Sequence, residues 1–329
     1  MTDTMRALIA GRGPDWVLDD VPVPRPGPGQ VLVRVRAAAV NNADLPLLAA
    51  ADPTAGGHGD EFVAGYEYAG EVAAVGAGAG HWRVGDPVMG SIPSSFAEFV
   101  VADHRFVVPR PAGLAPHEAV ALPTGLLTEH GALTVAGFRP GQSVLVTGAS
   151  TGIGLVGVQV AKALGASRVI GTTRSPDKRD LLTSVGVDDV VVTGEQDLTG
   201  AVLTATGGEG VDVVLDHVGG RVFADCLPAT RHDGHVVNIG RLAGPASTVD
   251  LDALSYRHLS VHGVSFGFTR AQETAGVVAG LLPEVLPAVE RGAVRPVLDR
   301  VFPVDRAGEI AAHVRSGRGT GKVVVALDG

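Results

Sequence analysis

The chain has 329 residues, enough for two domains at about 100–200 residues each, and its 45% hydrophobic and 19% charged residues allow a sizeable core. Its 46 glycines and 21 prolines follow no period, which excludes collagen-like and low-complexity architectures, and a net charge of −9 argues against nucleic acid or an anionic membrane as the main partner. The single cysteine, Cys226, excludes an internal disulfide and a four-thiolate zinc site. The amino terminus lacks an apolar core of signal-peptide length. The longest uncharged run, 140–161, is too polar and glycine-broken for a membrane span, so a soluble cytoplasmic protein is expected.

In chain order, the first third alternates short β-rich runs (31–36, 68–75, 96–101) with Gly/Pro turns such as PVPRPGPG at 22–29, the pattern of a compact, mostly β domain. From about Gly141 the texture changes. SVLVT (143–147) reads as a buried strand and, after a glycine turn, 153–164 reads as a helix with Ile153, Val156, Val160 and Leu164 on one face. Further strands are predicted at 168–173, 211–220 and 234–240, with 258–266 placed to close the sheet. Strand, helix, strand at this period predicts βαβ units and a doubly wound parallel sheet. A helix over about 271–290 and strand texture in RPVLDRVFPV and GKVVVAL complete the chain. The β-rich domain is expected to take in both termini, as 1–126 and 267–329, with a nucleotide-type domain at 127–266 between them. Cys226 falls in a predicted helix and reads as a buried structural thiol.

Residues 147–154, TGASTGIG, lie between a predicted strand and a predicted helix. A glycine turn there lets backbone approach a pyrophosphate, and the helix amino terminus offers free N–H groups. Ala149 and Thr151 occupy the first two places of GxGxxG and Gly154 the third. Ser150, Gly152 and Ile153 are therefore candidate cofactor contacts. The next strand ends in Thr173, Arg174, Ser175, Pro176, Asp177 and Lys178. No acid stands at the tip to accept from a ribose 2′-OH, and Thr173, Arg174, Ser175 and Lys178 make a plausible cradle for a 2′-phosphate, pointing to NADPH over NADH. A solvated helix start at Asp177–Lys178–Arg179 is the alternative.

TGASTGIG also resembles the short-chain dehydrogenase fingerprint, but the turn here follows 146 residues and none of Tyr66, Tyr68 or Tyr256 has a lysine four places on. The stretches VNNAD (40–44), GYEYAGEVAAVGAGA (65–79), VGDPV (84–88), FAEFVV (96–101), ALPTGLLTEHGAL (121–133), LDHVGG (215–220) and SGRGTGK (316–322) occur together in order over nearly the whole chain. Through them the chain resembles the medium-chain dehydrogenase/reductase superfamily, in its zinc-independent quinone oxidoreductase-like branch. The resemblance implies an α/β protein with a GroES-like mostly-β catalytic domain and a Rossmann nucleotide-binding domain. It also implies a homodimer paired through the last nucleotide-domain strand, near 258–266.

The resemblance places Asn41 and Tyr66 where zinc alcohol dehydrogenases carry a cysteine and a histidine ligand. Neither is a usual zinc ligand, so no metal is expected. His58, His81 and His104 read as surface or turn residues. The resemblance further implies that Asn41 and Asp44, in the N-x-x-D segment, lie near the nicotinamide ribose, although capping of a turn or helix start suits both equally. Tyr66 is a candidate donor to a substrate oxygen, or else a packed aromatic. Thr128, Val218, Ile239, Gly240, Phe266 and Arg318 are implied cofactor contacts. Pro46 stands where many relatives have a tyrosine, and Thr193 replaces another near the adenosine phosphate. Glu129 and His130 replace a small residue and an aromatic. They are an acid–base element or, since adjacent helical residues point apart, a solvent-facing turn. His217 ends the 211–216 strand and reads as a neutral residue packed near the cofactor.

Without a Lewis acid, a carbonyl is polarised by hydrogen-bond donors alone, which favours acceptors whose developing charge is delocalised. The expected activity is NADPH-dependent reduction of a quinone or an α,β-unsaturated carbonyl. Two alternatives stay open: a tailoring reductase for one biosynthetic enone, and a non-catalytic, crystallin-like NADPH-binding protein.

Overall fold

The computed structural model describes residues 4–265 and 270–327. In chain order come strands β1 (Thr4–Ala10), β2 (Val17–Pro22) and β3 (Gln30–Val40), helix α1 (Asp44–Ala51), then β4 (Phe62–Val63), β5 (Glu67–Val75), β6 (Pro87–Ser91), β7 (Phe99–Asp103) and β8 (Val107–Pro109). Helices α2 (Pro116–Ala119) and α3 (Pro123–Val135) lead into β9 (Ser143–Val146), α4 (Gly152–Ala163), β10 (Arg168–Thr173), α5 (Arg179–Ser184), β11 (Asp189–Val192) and α6 (Leu198–Ala205). Next are β12 (Val211–Asp216), α7 (Gly220–Cys226), β13 (Thr230–Asn238), α8 (Leu251–Tyr256), β14 (Ser260–Gly263), α9 (Ala271–Glu284) and α10 (Leu286–Glu290). The chain closes with β15 (Leu298–Pro303), α11 (Ala307–Arg315) and β16 (Lys322–Ala326). None of the described helices is long and apolar enough to cross a membrane.

The chain divides into two compact units. The first comprises Met1–Thr124 and Pro296–Gly329 and the second Gly125–Arg295. The first unit holds a three-stranded sheet, β2-β1-β4, and a seven-stranded one, β15-β16-β3-β5-β6-β8 with β7 on β3. Alternation of apolar and polar residues turns one face of these strands onto a core that includes Leu8, Trp16, Val33, Tyr68, Phe96 and Phe302. Trp16 and Phe96 meet edge to face there at 5.4 Å.

The second unit holds a six-stranded sheet in the order β11-β10-β9-β12-β13-β14, with every pairing parallel. Counted from β9 this is the order 3-2-1-4-5-6 of a dinucleotide-binding sheet, and its order reverses between β9 and β12. Covered on both faces by helices, the 144–146 stretch of β9 and the 213–215 stretch of β12 are continuous apolar runs. Helix α4 starts at Thr151, whose hydroxyl accepts from the Gly154 N–H (3.1 Å), and Cys226 is fully buried at the end of α7.

Three segments differ from their sequence reading. The 211–220 strand stops at Asp216, because the Asp216 carboxylate accepts from the Val218 and Gly219 N–H groups and turns the chain. The 271–290 helix is two helices, with Pro287 in the first turn of the second. The second unit runs to Arg295 rather than ending at 266. Val277, Val278 and Leu281 of α9 are buried, and the Gln159 side chain on α4 bonds the Arg295 backbone through both its amide atoms.

Candidate active site

In the first unit, Asn41, Asp44, Glu67 and Lys322 form one buried polar knot. Asn41 follows β3, Asp44 opens α1, Glu67 opens β5 and Lys322 opens β16. The Lys322 ammonium donates to Asn41 Oδ1 (2.5 Å) and to Glu67 Oε2. Asn41 Nδ2 donates to the same Glu67 oxygen (3.1 Å), and the Thr124 N–H donates to Glu67 Oε1 (2.7 Å). The Asn41 backbone N–H donates to Asp44 Oδ2 (2.7 Å).

Lys322 and Glu67 balance each other, so Asp44 is the additional carboxyl. Burial pushes its pKa up to about 7, with Glu67 adding to the rise, while the Asn41 N–H and the Lys322 charge oppose it. Tyr66, beside Glu67 in sequence, is only half-buried. Partial burial and the nearby Asp44 charge raise its phenol above the usual range, so it keeps its proton.

In the second unit, most of the sequence-derived nucleotide contacts gather at the carboxyl edge of the parallel sheet. Gly148 has φ +59°, and a Cβ on Gly154 would come within 2.5 Å of the Gly148 carbonyl oxygen, so this turn admits no larger residue at its closest approach. The Gly148 N–H is held by the Thr172 hydroxyl (2.9 Å), and the Ser150 hydroxyl meets that of Thr173 (3.2 Å). At the tip of β10, Arg174 is exposed, Ser175 and Lys178 are half-buried, and no carboxylate closes the strand. Val218 follows β12, while Ile239 and Gly240 follow β13 and donate to the Asp216 carbonyl (2.7 and 3.0 Å). The turn therefore fits a dinucleotide pyrophosphate, and the β10 tip fits a phosphate. Thr128 sits on α3 in this unit. Arg318 is an exposed residue of the first unit, and Phe266 lies outside the described residues.

Glu129 and His130 do not form a solvent-facing turn. Both are buried, because α3 is covered on nearly all sides, and each has its own partner. Glu129 Oε1 lies 2.6 Å from His217 Nε2, and His130 Nε2 lies 3.0 Å from Glu284 Oε2. His217 is accordingly held at both ring nitrogens, with Nδ1 2.8 Å from the Thr147 carbonyl, rather than packed as an isolated ring.

Comparison with known proteins matches residues 27–112 to the family "Alcohol dehydrogenase GroES-like domain" and residues 152–281 to the family "Zinc-binding dehydrogenase". Quinone oxidoreductase-like protein 2 of Bos taurus is 31% identical over 329 residues, covering 98% of this chain and 92% of that protein. The chain belongs to the medium-chain dehydrogenase/reductase superfamily, in its quinone oxidoreductase-like branch. A mycobacterial member of known structure, complexed with NADPH, superposes with a TM-score of 0.83 at 29% identity over 98% of this chain and 99% of that one. The Spectinabilin polyketide synthase system protein NorB of Streptomyces orinoci is 33% identical over 305 residues, which are 91% of this chain but only 13% of NorB.

One of the matched families of this superfamily is described by its zinc, and the donor set here does not fit that ion. Asn41 and Tyr66 stand at the ligand places indicated by the resemblance, Asn41 Oδ1 is taken by Lys322, and a fixed ammonium in the knot repels a divalent cation. Among the described residues no three His, Cys, Asp or Glu side chains gather for a metal, and His58 and His81 are exposed while His104 lies in a short turn. The residues that sequence reasoning missed are Glu67 and Lys322. Both lie within stretches quoted for the family resemblance, yet nothing local signals that they pair.

Proposed function

We propose that this member of the superfamily is a zinc-independent, NADPH-dependent oxidoreductase acting on a quinone or an α,β-unsaturated carbonyl. One observation carries the reading: of the two places where the resemblance puts zinc ligands, Asn41 has its Oδ1 taken by the buried Lys322 ammonium and Tyr66 carries a phenol. An acceptor must then be polarised by hydrogen bonds alone, which suits one whose charge delocalises. The mycobacterial structure with NADPH and the bovine quinone oxidoreductase-like relative support the cofactor and the reaction class.

NADPH would be held by the Gly148–Gly154 turn at its pyrophosphate and by Arg174, Ser175 and Lys178 at its 2′-phosphate, with Thr128, Val218, Ile239 and Gly240 as further contacts. When bound, it supplies hydride from C4 of its nicotinamide. The chain's own residues orient the acceptor and manage the proton. Tyr66 offers a protonated phenol to the substrate oxygen. Asp44 exchanges a proton near neutral pH, and the Lys322–Glu67 pair fixes Asn41 beside it. Likeness to segments of polyketide synthases favours a second reading within this class, reduction of an enoyl thioester. We also propose a homodimer through the outer edge of β14, where Val261 is exposed, so light scattering should give twice the chain mass.

The test is an NADPH-oxidation screen over quinones, 2-alkenals, cyclic enones and enoyl thioesters, with NADH in parallel. Turnover of at least one class with preference for NADPH supports the reading. Stoichiometric NADPH binding with no turnover of any class overturns it in favour of a non-catalytic binding protein.

A further inference from the structure

The strand order of the parallel sheet reverses between β9 and β12, and a buried polar chain spans that point. Asn238 Nδ2 donates to Asp216 Oδ2 (2.9 Å), and the Thr147 hydroxyl donates to Asp216 Oδ1 (2.8 Å). The His217 backbone N–H donates to the Thr147 hydroxyl oxygen (2.9 Å), and the ring continues through both nitrogens, Nδ1 to the Thr147 carbonyl and Nε2 to Glu129. Thr147 is the residue from which the glycine turn departs. Glu129 is the neighbour of Thr128 on α3. The chain thus joins the two segments that carry the nucleotide contacts of this unit.

The acceptors fix the proton count. A carbonyl oxygen has no proton to give, so Nδ1 must carry one. Between Nε2 and Glu129 Oε1, at 2.6 Å, there is then a single proton, as imidazolium with carboxylate or as imidazole with carboxylic acid. Either arrangement is neutral. Removing that proton sets a nitrogen lone pair against a carboxylate oxygen, and adding a second sets two donors against each other. Helix α4 leaves room for the pair: a Cβ on Gly157 would lie 2.6 Å from Glu129 Oε2, an oxygen with no hydrogen-bond partner among the described residues.

We infer that Glu129 and His217 are a positioning pair for the nucleotide site, whose shared proton ties the glycine turn to α3 and keeps the turn's amides in register with Thr128. The inference rests on the cofactor reading above. Facing the ring are Glu129 from α3 and Asp216 from the end of its own strand. Thr147, just after strand β9, and Gly157 of helix α4 do not titrate, and His130 is engaged with Glu284. Burial alone would strip the ring of its extra proton. The Glu129 charge and hydrogen bond, the Thr147 carbonyl and the Asp216 charge outweigh it and hold the proton above the ordinary imidazole range.

The experiment follows histidine ring ¹⁵N signals of the cofactor-free protein across pH, beside NADPH titrations read by nucleotide fluorescence, for wild type, Glu129→Gln and His217→Gln. Ionisation of the ligand itself cancels in the ratio of variant to wild type. In the wild type, the ring signals assigned by their loss in His217→Gln should stay doubly protonated beyond the ordinary imidazole range. In Glu129→Gln burial is no longer outweighed and the amide can donate to a singly protonated ring, so this variant's affinity should not follow the wild-type ring's proton, and its NADPH dissociation constant relative to wild type should change about tenfold between pH 6 and pH 9. A Glu129→Gln ratio equal at the two pH values overturns the inference. If that variant does not fold, the wild type decides: affinity that falls as the ring loses its proton supports the positioning role, and affinity indifferent to it overturns that role alone. A wild type that binds no NADPH overturns the cofactor reading together with it.

Discussion

Each unit of the molecule buries a polar knot around a glutamate with no exposed surface, and the two glutamates are treated differently. Glu67 is fully supplied: an ammonium, a side-chain amide and a backbone N–H meet its two oxygens. Glu129 has one imidazole nitrogen on one oxygen, and its second oxygen has no hydrogen-bond partner among the described residues. A carboxylate met by an ammonium, a side-chain amide and a backbone N–H has a donor on each oxygen and needs no shared proton to hold its geometry. A carboxylate balanced by histidine holds its geometry only while one proton remains. The first arrangement suits a scaffold for reacting groups, the second a joint whose set can change.

The sharpest way to break this contrast is to remove the fixed charge. Lys322→Met leaves Glu67 buried without its counter-ion and should cost about 3–5 kcal/mol in urea unfolding. The double variant Lys322→Met/Glu67→Met should recover much of that loss, because no uncompensated charge then remains. A single variant as stable as wild type would show that the pair contributes no such balance.

Next in size is the carboxyl that the pair leaves over. In the folded protein Asp44 titrates at about 7, against about 3.9 in an unfolded chain, so the folded state binds this proton more tightly. The stabilisation is complete below pH about 4 and is lost as pH rises to about 7, by at most about 4 kcal/mol. Asp44→Asn keeps an oxygen for the Asn41 N–H and removes the titration. Its stability relative to wild type should therefore climb between pH 5 and 8 in denaturant melts, and parallel curves would reject the assignment.

How much of this was legible in the sequence follows from the range of each signal. The β10 strand reads off at its observed bounds, 168–173, because apolar patterning and β-branching are local. The α4 start is read one residue late, at 153 rather than Gly152, because the turn glycines lie next to it while the Thr151 cap is not marked by them. Lys322 and Glu67 are 255 residues apart, and a lysine opening the run VVVA reads as a solvated strand end. Glu129 and His130 misled the solvent-facing reading for a related reason. Helix α3 is buried on nearly all sides, so the rule that neighbours point apart sends each to a different partner rather than one to water. The 271–290 segment shows helical spacing, but spacing does not say which unit it packs on, and the expected boundary at 266 fell short.

A smaller effect tests whether the scaffold serves chemistry. Tyr66 follows Gly65 and precedes Glu67, so the knot fixes the backbone from which its phenol projects. Tyr66→Phe should lower kcat about 100-fold with KM little changed if the phenol donates to the developing oxyanion. The raised phenol pKa predicts no Tyr66 limb in the wild-type pH–rate profile below pH about 9. A kcat within twofold of wild type would make Tyr66 a packed aromatic and leave Asn41 and Asp44 without a partner in the reaction.

The smallest effect falls at the edge of the second unit, where charge is held in water rather than in a knot. Arg174 is exposed and Lys178 half-buried at the β10 tip. Solvent screening keeps each contribution to a 2′-phosphate modest. Arg174→Ala and Lys178→Ala should each raise the NADPH KM about tenfold and leave the NADH KM unchanged, since only the phosphorylated ribose engages them. Raising salt from 50 to 300 mM should erode the wild-type preference for NADPH in the same direction, whereas the buried Lys322–Glu67 pair is shielded from it. Equal KM changes for both nucleotides would mean that these side chains order the β10 tip rather than read the phosphate. Cofactor choice would then have to come from the absence of an acid there, which placing Asp at Arg174 tests by shifting preference toward NADH.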